Sequence, residues 1–405
     1  MKRVIISLLI FALLPLSGCG ANQEQNGNGN ELTIAAFYNS RYLEYAAQKY
    51  EELHEGVKIN INYYATEDDK DYSKYSQIIN TALMSGKGED IIDVSTLAWT
   101  KLADKNKLLD LNGEIDFEND TYYQNILDAY LYNGKRHTIP LCFAFEAFRF
   151  DESFNEKANA LTLNDLLSLA ERNHETALFS EIGRLGLAYM LFDMSFNEFI
   201  DIGNKAANVD SEKFISLLEA VNSLENRLST QNSGDVPLIR QYFLYTPVMT
   251  NAGTIDYTDL FLLTDDNENT LFTTIGFLPA VNANSGANKD LAVDFIRFLL
   301  SEEMQSSTEL LFCPVNKKAA AEMAALTLAD VQAGGHAPDG FSNNSFESNI
   351  TIFNELAQGL TVVKHSDHFI NDFVVAELMR YFQGEVSAEQ AAKSLQSRLN
   401  TYLKE

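Results

Sequence analysis

From residue 31 the chain alternates short β-rich runs with amphipathic helical patterns. LTIAAFY over 32–38 has strand length, and Ser40 stands at an N-cap position ahead of a helical pattern over 41–54 that Gly56 ends. Val57, Ile59 and Ile61 then alternate with polar residues as a second strand. Residues 71–85 have helical spacing, and Gly86-Lys87-Gly88 breaks it before the apolar run DIIDV over 90–94. This β-α-β-α-β order predicts parallel strands with helical crossovers, and open sheets of that kind bind ligands beyond the carboxyl ends of their strands. Three exits therefore matter: Tyr38-Asn39, residues 64–68 and residues 95–99. Helical stretches over 97–107 and 122–131 lead through an Asn133-Gly134 turn to an apolar, aromatic β run over 137–150, which has the reach to cross between lobes. Helical patterns over 163–172, 185–199 and 211–228 precede strand-like composition over 236–250 and 271–281. From 289 onward the chain is mainly helical, most clearly over 291–300, 372–382 and 388–403, with Gly384 as the stop between the last two. No internal repeat is visible.

A chain of 405 residues with 46% hydrophobic and 11% aromatic side chains is globular in composition. Single cores stop growing near roughly 250–300 residues, so two lobes are expected. The 57 acidic against 30 basic residues leave a formal charge of −27, which repels phosphate backbones and anionic headgroups. Nucleic-acid binding and electrostatic membrane docking are accordingly set aside.

The N-terminus carries its own signal. Lys2 and Arg3 precede an apolar run over 4–16 that is short for a membrane span and ends in Leu16-Ser17-Gly18-Cys19. That ending resembles the lipobox of bacterial lipoproteins, whose cysteine receives diacylglycerol and palmitate and becomes the first residue. Residues 1–18 then form the signal peptide, Cys19 is the lipidation site, and 19–30, the lipidated cysteine followed by GANQEQNGNGN, form a flexible tether. The plainer alternative is an ordinary secretory signal with an incidental cysteine. Loss of Lys2 and Arg3 takes the formal charge from −27 to −29, for a protein held by lipid at the extracytoplasmic face of the cell membrane. Outside the cytoplasm Cys142 and Cys313 are free to form a disulfide, although buried thiols among Leu and Phe commonly stay free; both readings stand.

Catalytic and metal signatures are absent from the sequence: there is no G-x-S-x-G, P-loop, H-E-x-x-H or C-x-x-C. His365 and His368 lie three apart with no third ligand nearby, and Asp265, Asn267 and Asn269 open like a calcium loop but lack its glycine and bidentate glutamate. No cofactor or metal is expected, and the protein reads as a non-enzyme. Carboxylates are numerous enough to keep an exported glycosidase as an alternative.

Four local patterns occur in a familiar order. Gly88-Glu89-Asp90-Ile91-Ile92 runs through Lys101-Leu102-Ala103 to Leu108-Leu109-Asp110-Leu111, and Asn133-Gly134-Lys135 precedes Ile139-Pro140-Leu141. Val281-Asn282-Ala283-Asn284-Ser285 leads to Ala292, Phe295 and Phe298-Leu299, and Pro314-Val315-Asn316 follows. This set resembles the extracellular solute-binding proteins of bacterial ABC importers, the maltose-binding-protein-like family 1. The resemblance implies an α/β, two-lobe periplasmic-binding-protein-like fold with an interlobe ligand cleft and hinge crossovers. Lobe 1 would comprise 31–141 plus 279–312, and lobe 2 would comprise 142–278 plus 313–405.

It also implies a monomeric receptor that captures a small polar solute, a sugar or oligosaccharide, and delivers it to ABC permease subunits; a lipoprotein feeding a sensor kinase is the alternative. The three aromatic platforms of maltose-type binders fall on Val94, near Ile255 and near Asn371, none of which can stack on a sugar. Trp99, Tyr38 and Tyr257 remain as candidate rings, with Trp99 alternatively packed between helix and sheet. Asn39, Glu67, Glu146, Asp256, His368 and Asn371 are the polar candidates at strand exits or in the aligned C-terminal segment, each alternatively a solvated surface residue.

Overall fold

The computed structural model describes residues 30–65, 71–117, 121–154, 156–173, 176–179, 182–228, 237–250, 252, 255–332, 343–364 and 367–405. The signal peptide, Cys19, most of the tether, Glu67 and His365 lie outside the described residues.

Strand β1 (Glu31–Ala36) leads into helix α1 (Arg41–Leu53), whose cap, the Ser40 side chain, accepts from the Leu43 N–H. Strand β2 (Lys58–Tyr63) returns parallel to β1, with Leu32 opposite Ile59 and Ile34 opposite Ile61. Helix α2 (Tyr72–Met84) then delivers strand β3 (Ile91–Asp93) to the other side of β1, again in parallel, and Pro279–Val281 closes the sheet antiparallel to β3. Side chains alternate along β1, so both faces need cover. Leu32 and Ile34 meet α1 and helix Lys289–Leu299 on one face, through Leu43, Tyr50, Phe295 and Leu299. Ala35 and Phe37 meet α2 and helix α3 (Trp99–Asp104) on the other, through Tyr75, Ile79, Leu83 and Leu102. The pattern over 97–107 becomes this shorter helix because Asn106 takes a left-handed φ of 53° just beyond it.

The second sheet is built around strand β4 (Cys142–Phe150). Strand β5 (Ile239–Thr246) lies antiparallel on one side, with Met249–Thr250 beyond it, and strand β6 (Leu271–Thr274) lies antiparallel on the other, followed by β7 (Val362–Val363) parallel to β6. Cys142, Phe143, Phe145 and Ala147 pack in a core that also holds Leu32 and Ile34 of the first sheet and Tyr242 and Phe272 of the second, whereas Phe148 and Phe150 pack in a separate core. One continuous strand thus serves both cores. The second core is completed by α4 (Arg184–Met194), α5 (Glu212–Ser223), α6 (His368–Phe382) and α7 (Ala388–Lys404). The helical pattern over 185–199 is two helices, since the chain turns at Ser195, whose hydroxyl donates to Asp265 at 3.0 Å. Asp265 also accepts the Asn267 and Asn269 N–H groups, so this loop is closed on itself.

Cys142 and Cys313 are free and buried. Cys142 pairs across the ladder with Pro314 and Cys313 with Phe143. Directly opposed residues share a face, so this one-residue offset sends the two thiols to opposite faces of the sheet. Among the described residues no helix is long and apolar enough to cross a membrane.

Candidate functional site

At the carboxyl ends of β1 and β3 the backbone is fixed by Asp93. Its buried carboxylate accepts the N–H groups of Ser95 at 3.0 Å, Leu278 at 3.2 Å and Phe37 at 3.3 Å, while burial raises its pKa. The Tyr75 hydroxyl donates to the Asp93 carbonyl at 2.7 Å. These bonds hold Ser95 and Thr96 at the edge of the first sheet, facing the end of β6 and the start of α6. There His368 Nδ1 donates to the Thr96 carbonyl at 3.0 Å and joins the two lobes directly.

Three adjoining cavities occupy this region, and Lys364 lines all of them. The central one, about 360 Å³, is walled by Tyr72, Ser95 and Thr96 from the first lobe and by Thr273, His368 and Asn371 from the second. Thr96 Oγ1 and His368 Nε2 are buried there without a protein partner. A second cavity of about 480 Å³ lies beside Trp99, Tyr130 and Tyr132, with Asp128, Asp201 and Asp367 on its wall. The Trp99 ring stands 6.3 Å from that of Tyr130 and 6.0 Å from that of Tyr132. A third, about 400 Å³, runs into the second lobe and carries Glu146, Tyr189, Asp193 and Gln241 among apolar side chains.

Trp99, Glu146, His368 and Asn371 therefore line this connected cleft. Trp99 is half-buried at the start of α3, packed on one side and open to its cavity. Burial raises the Glu146 pKa, with Gln241 and Lys364 opposing. Tyr38 is 45% exposed; its hydroxyl meets that of Tyr72 at 2.5 Å, so it reaches the cleft through a neighbour that lines it. Asn39 is exposed and lines none of the three cavities. Asp256 is also away from them, its carboxylate accepting the Thr258 N–H at 2.8 Å and hydroxyl at 2.6 Å in a surface turn. Tyr257 is a core ring, fully buried, with its hydroxyl donating to the Thr246 carbonyl at 3.2 Å. At the aligned platform positions, Val94 is buried and Ile255 is half-buried.

Sequence reasoning passed over Tyr72, Tyr130, Asp193, Thr273 and Lys364, and marked Thr96 only as part of the strand exit over 95–99. One signal was available: Asp193 is the sole acid in RLGLAYMLFDM, a helix that beyond Arg184 is apolar on every face. The others carry no local mark, because they reach the cleft only through tertiary packing.

Residues 38–142 match the sequence model of the family described as bacterial extracellular solute-binding protein. Comparison with curated protein sequences gives no match. Solved structures that match over nearly the whole chain include the ABC substrate-binding protein Lmo0181 from Listeria monocytogenes in complex with cycloalternan. It has a TM-score of 0.58 and 15% identity, covering 92% of this chain and 99% of that one. The cyclic α-maltosyl-1,6-maltose binding protein from Arthrobacter globiformis gives 0.57 and 15%, covering 92% and 99%. Maltose-bound MalE3 from T. maritima gives 0.56 and 13%, again covering 92% and 99%. The family resemblance and the two-lobe periplasmic-binding-protein-like fold read from the sequence are borne out.

Proposed function

We propose that this chain, which has the fold and over residues 38–142 the sequence pattern of bacterial extracellular solute-binding proteins, captures a saccharide between its lobes and presents it to an ABC importer. The lobes divide as 31–141 with 279–312 and 142–278 with 313–405. Cys19 carries the lipid that holds the protein at the extracytoplasmic face of the cell membrane, and its role is binding, with no chemical step.

The observation that carries this reading is the composition of the cleft wall. A half-buried tryptophan face lies beside hydrogen-bonding groups contributed by both lobes. A ring face suits the C–H face of a pyranose, and Thr96, His368 and the carboxylates nearby suit its hydroxyls. The Listeria, Arthrobacter and T. maritima structures are of proteins named for, or bound to, oligosaccharides, which supports the same ligand class here. A solute touching both lobes favours the closed arrangement by its differential affinity, and the closed faces are what a permease recognises.

The test is a thermal-shift screen against mono- and oligosaccharides, short peptides and polyamines, followed by calorimetry. Ligand at a hundredfold its Kd adds about 2.7 kcal/mol to stability. A saccharide that raises Tm and is recovered unchanged is the expected result; a hit confined to peptides would overturn the assignment. Trp99→Ala is expected to weaken saccharide binding more than tenfold, and unchanged affinity would remove the ring from the site.

A further inference from the structure

The cavity that runs from the cleft into the second lobe contains three acceptor oxygens that meet no protein donor: Asp193 Oδ1, Asp193 Oδ2 and Glu146 Oε2. Asp193 is fully buried, yet both its oxygens are unpaired. A polar group left in this state costs free energy unless something else supplies its partner. The surrounding wall is largely apolar, with Phe145, Phe243, Met190 and Met194 among its residues. The nearest basic side chain, Lys364, is exposed at the cleft side with its ammonium 5.1 Å from the centre of the Tyr189 ring.

The chemistry of the unpaired atoms selects among ligand groups. A hydroxyl brings one donor and also lone pairs that need donors of their own, whereas a primary ammonium brings three donors and no acceptor. Three unpaired acceptors on two carboxyls match the ammonium. Its charge also offsets the cost of ionising a buried acid. A divalent metal fits less well: among the described residues no group of three or more His, Cys, Asp or Glu side chains gathers to hold one, and oxygen-ligated cations take six or more ligands.

We infer that this cavity is a subsite for a primary ammonium carried by the bound solute, so that the protein takes an amino sugar in preference to its neutral counterpart. The inference rests on reading the cleft as a saccharide site. It follows geometrically because the acidic cavity shares Thr273 and Lys364 with the central one. A ligand seated between the lobes can thus extend an amino group towards Asp193.

The experiment is isothermal calorimetry at neutral pH with matched saccharides differing only at one carbon: glucosamine, N-acetylglucosamine and glucose, as monomers and as β-1,4-linked oligomers. The amine form is expected to bind at least tenfold more tightly than both neutral forms. Asp193→Asn and Glu146→Gln, which keep side-chain size, are each expected to reduce that preference to threefold or less. Equal affinity for amine and neutral forms, or a preference that both substitutions leave intact, would overturn the ammonium subsite and leave the saccharide reading standing. Binding of none of the saccharides would overturn both.

Discussion

Asp193 joins three properties that seldom coincide: full burial, no hydrogen-bond partner, and a pKa pushed up to about 7 by desolvation, against the field of Lys364. A carboxyl whose folded pKa exceeds its unfolded value holds the extra proton in the folded state. Stability therefore falls as pH rises from about 4 to about 7 and is flat above, once both states are ionised. Asp193→Asn should leave Tm near its wild-type value at pH 4 and raise it at pH 8 by roughly 4 °C or more. Calorimetric scans across that range would show the slope reduced, with Glu146, also raised, retaining part of it; an unaltered slope would mean Asp193 titrates normally. The cysteines give a second check at this scale. Burial pushes the Cys142 thiol up to about 12 and raises that of Cys313 as well. A thiol reagent should label neither in the folded protein and both after denaturation. Residue identity showed where an acid or a ring occurs in the chain, but not its surroundings: Tyr257 lies close to a candidate strand exit in sequence and fills the core in space.

The start of α6 shows how one element carries both architecture and site. Asp367 caps it by accepting the Phe369 N–H at 3.0 Å, and the same carboxylate accepts the Tyr402 hydroxyl of α7 at 2.8 Å. Asp367→Ala removes a cap and unpairs a neighbouring hydroxyl, so a loss of about 1–2 kcal/mol is expected in urea unfolding. It should also loosen His368, the next residue, which contacts Thr96 across the cleft; a midpoint equal to wild type would show the cap to be dispensable. Elements of this kind were legible where periodicity, cap and stop agreed, as over 41–54 and 388–403. Strand β4 was legible for a different reason. Its apolar run lacks alternation because it serves two cores in turn, and a strand covered on both faces loses the period of two.

Across the whole molecule, the lobes meet beside the cleft through several contacts, the Tyr130–Thr274 hydroxyl pair among them, and among the described residues two hydrogen bonds tie the first lobe to α6 and α7. One is the His368–Thr96 bond; the other is Lys101 of α3, whose Nζ donates to the Tyr402 carbonyl at 2.5 Å and stands 3.4 Å from that ring's centre. Burial lowers the Lys101 pKa, with Asp367 acting in the opposite sense. Lys101→Met keeps the apolar stem and deletes the charge, so the closed arrangement should lose roughly 1 kcal/mol, or about fivefold in population. Small-angle scattering should then report a larger radius of gyration without ligand and calorimetry a weaker saccharide affinity. If both stay at wild-type values, the contact does not govern closure. The order of strands and helices, the apolar strand β4 and the family resemblance were determined by the sequence itself, because periodicity, capping and motif order are local properties that no distant contact has to supply. Only the tertiary structure decided that Glu146, Asp193, Gln241 and Lys364 share one wall, that Cys142 and Cys313 lie on opposite faces, and that Asp256 stays at the surface. Those outcomes depend on register and on packing between segments far apart in the chain, where a one-residue shift reverses the face a side chain takes.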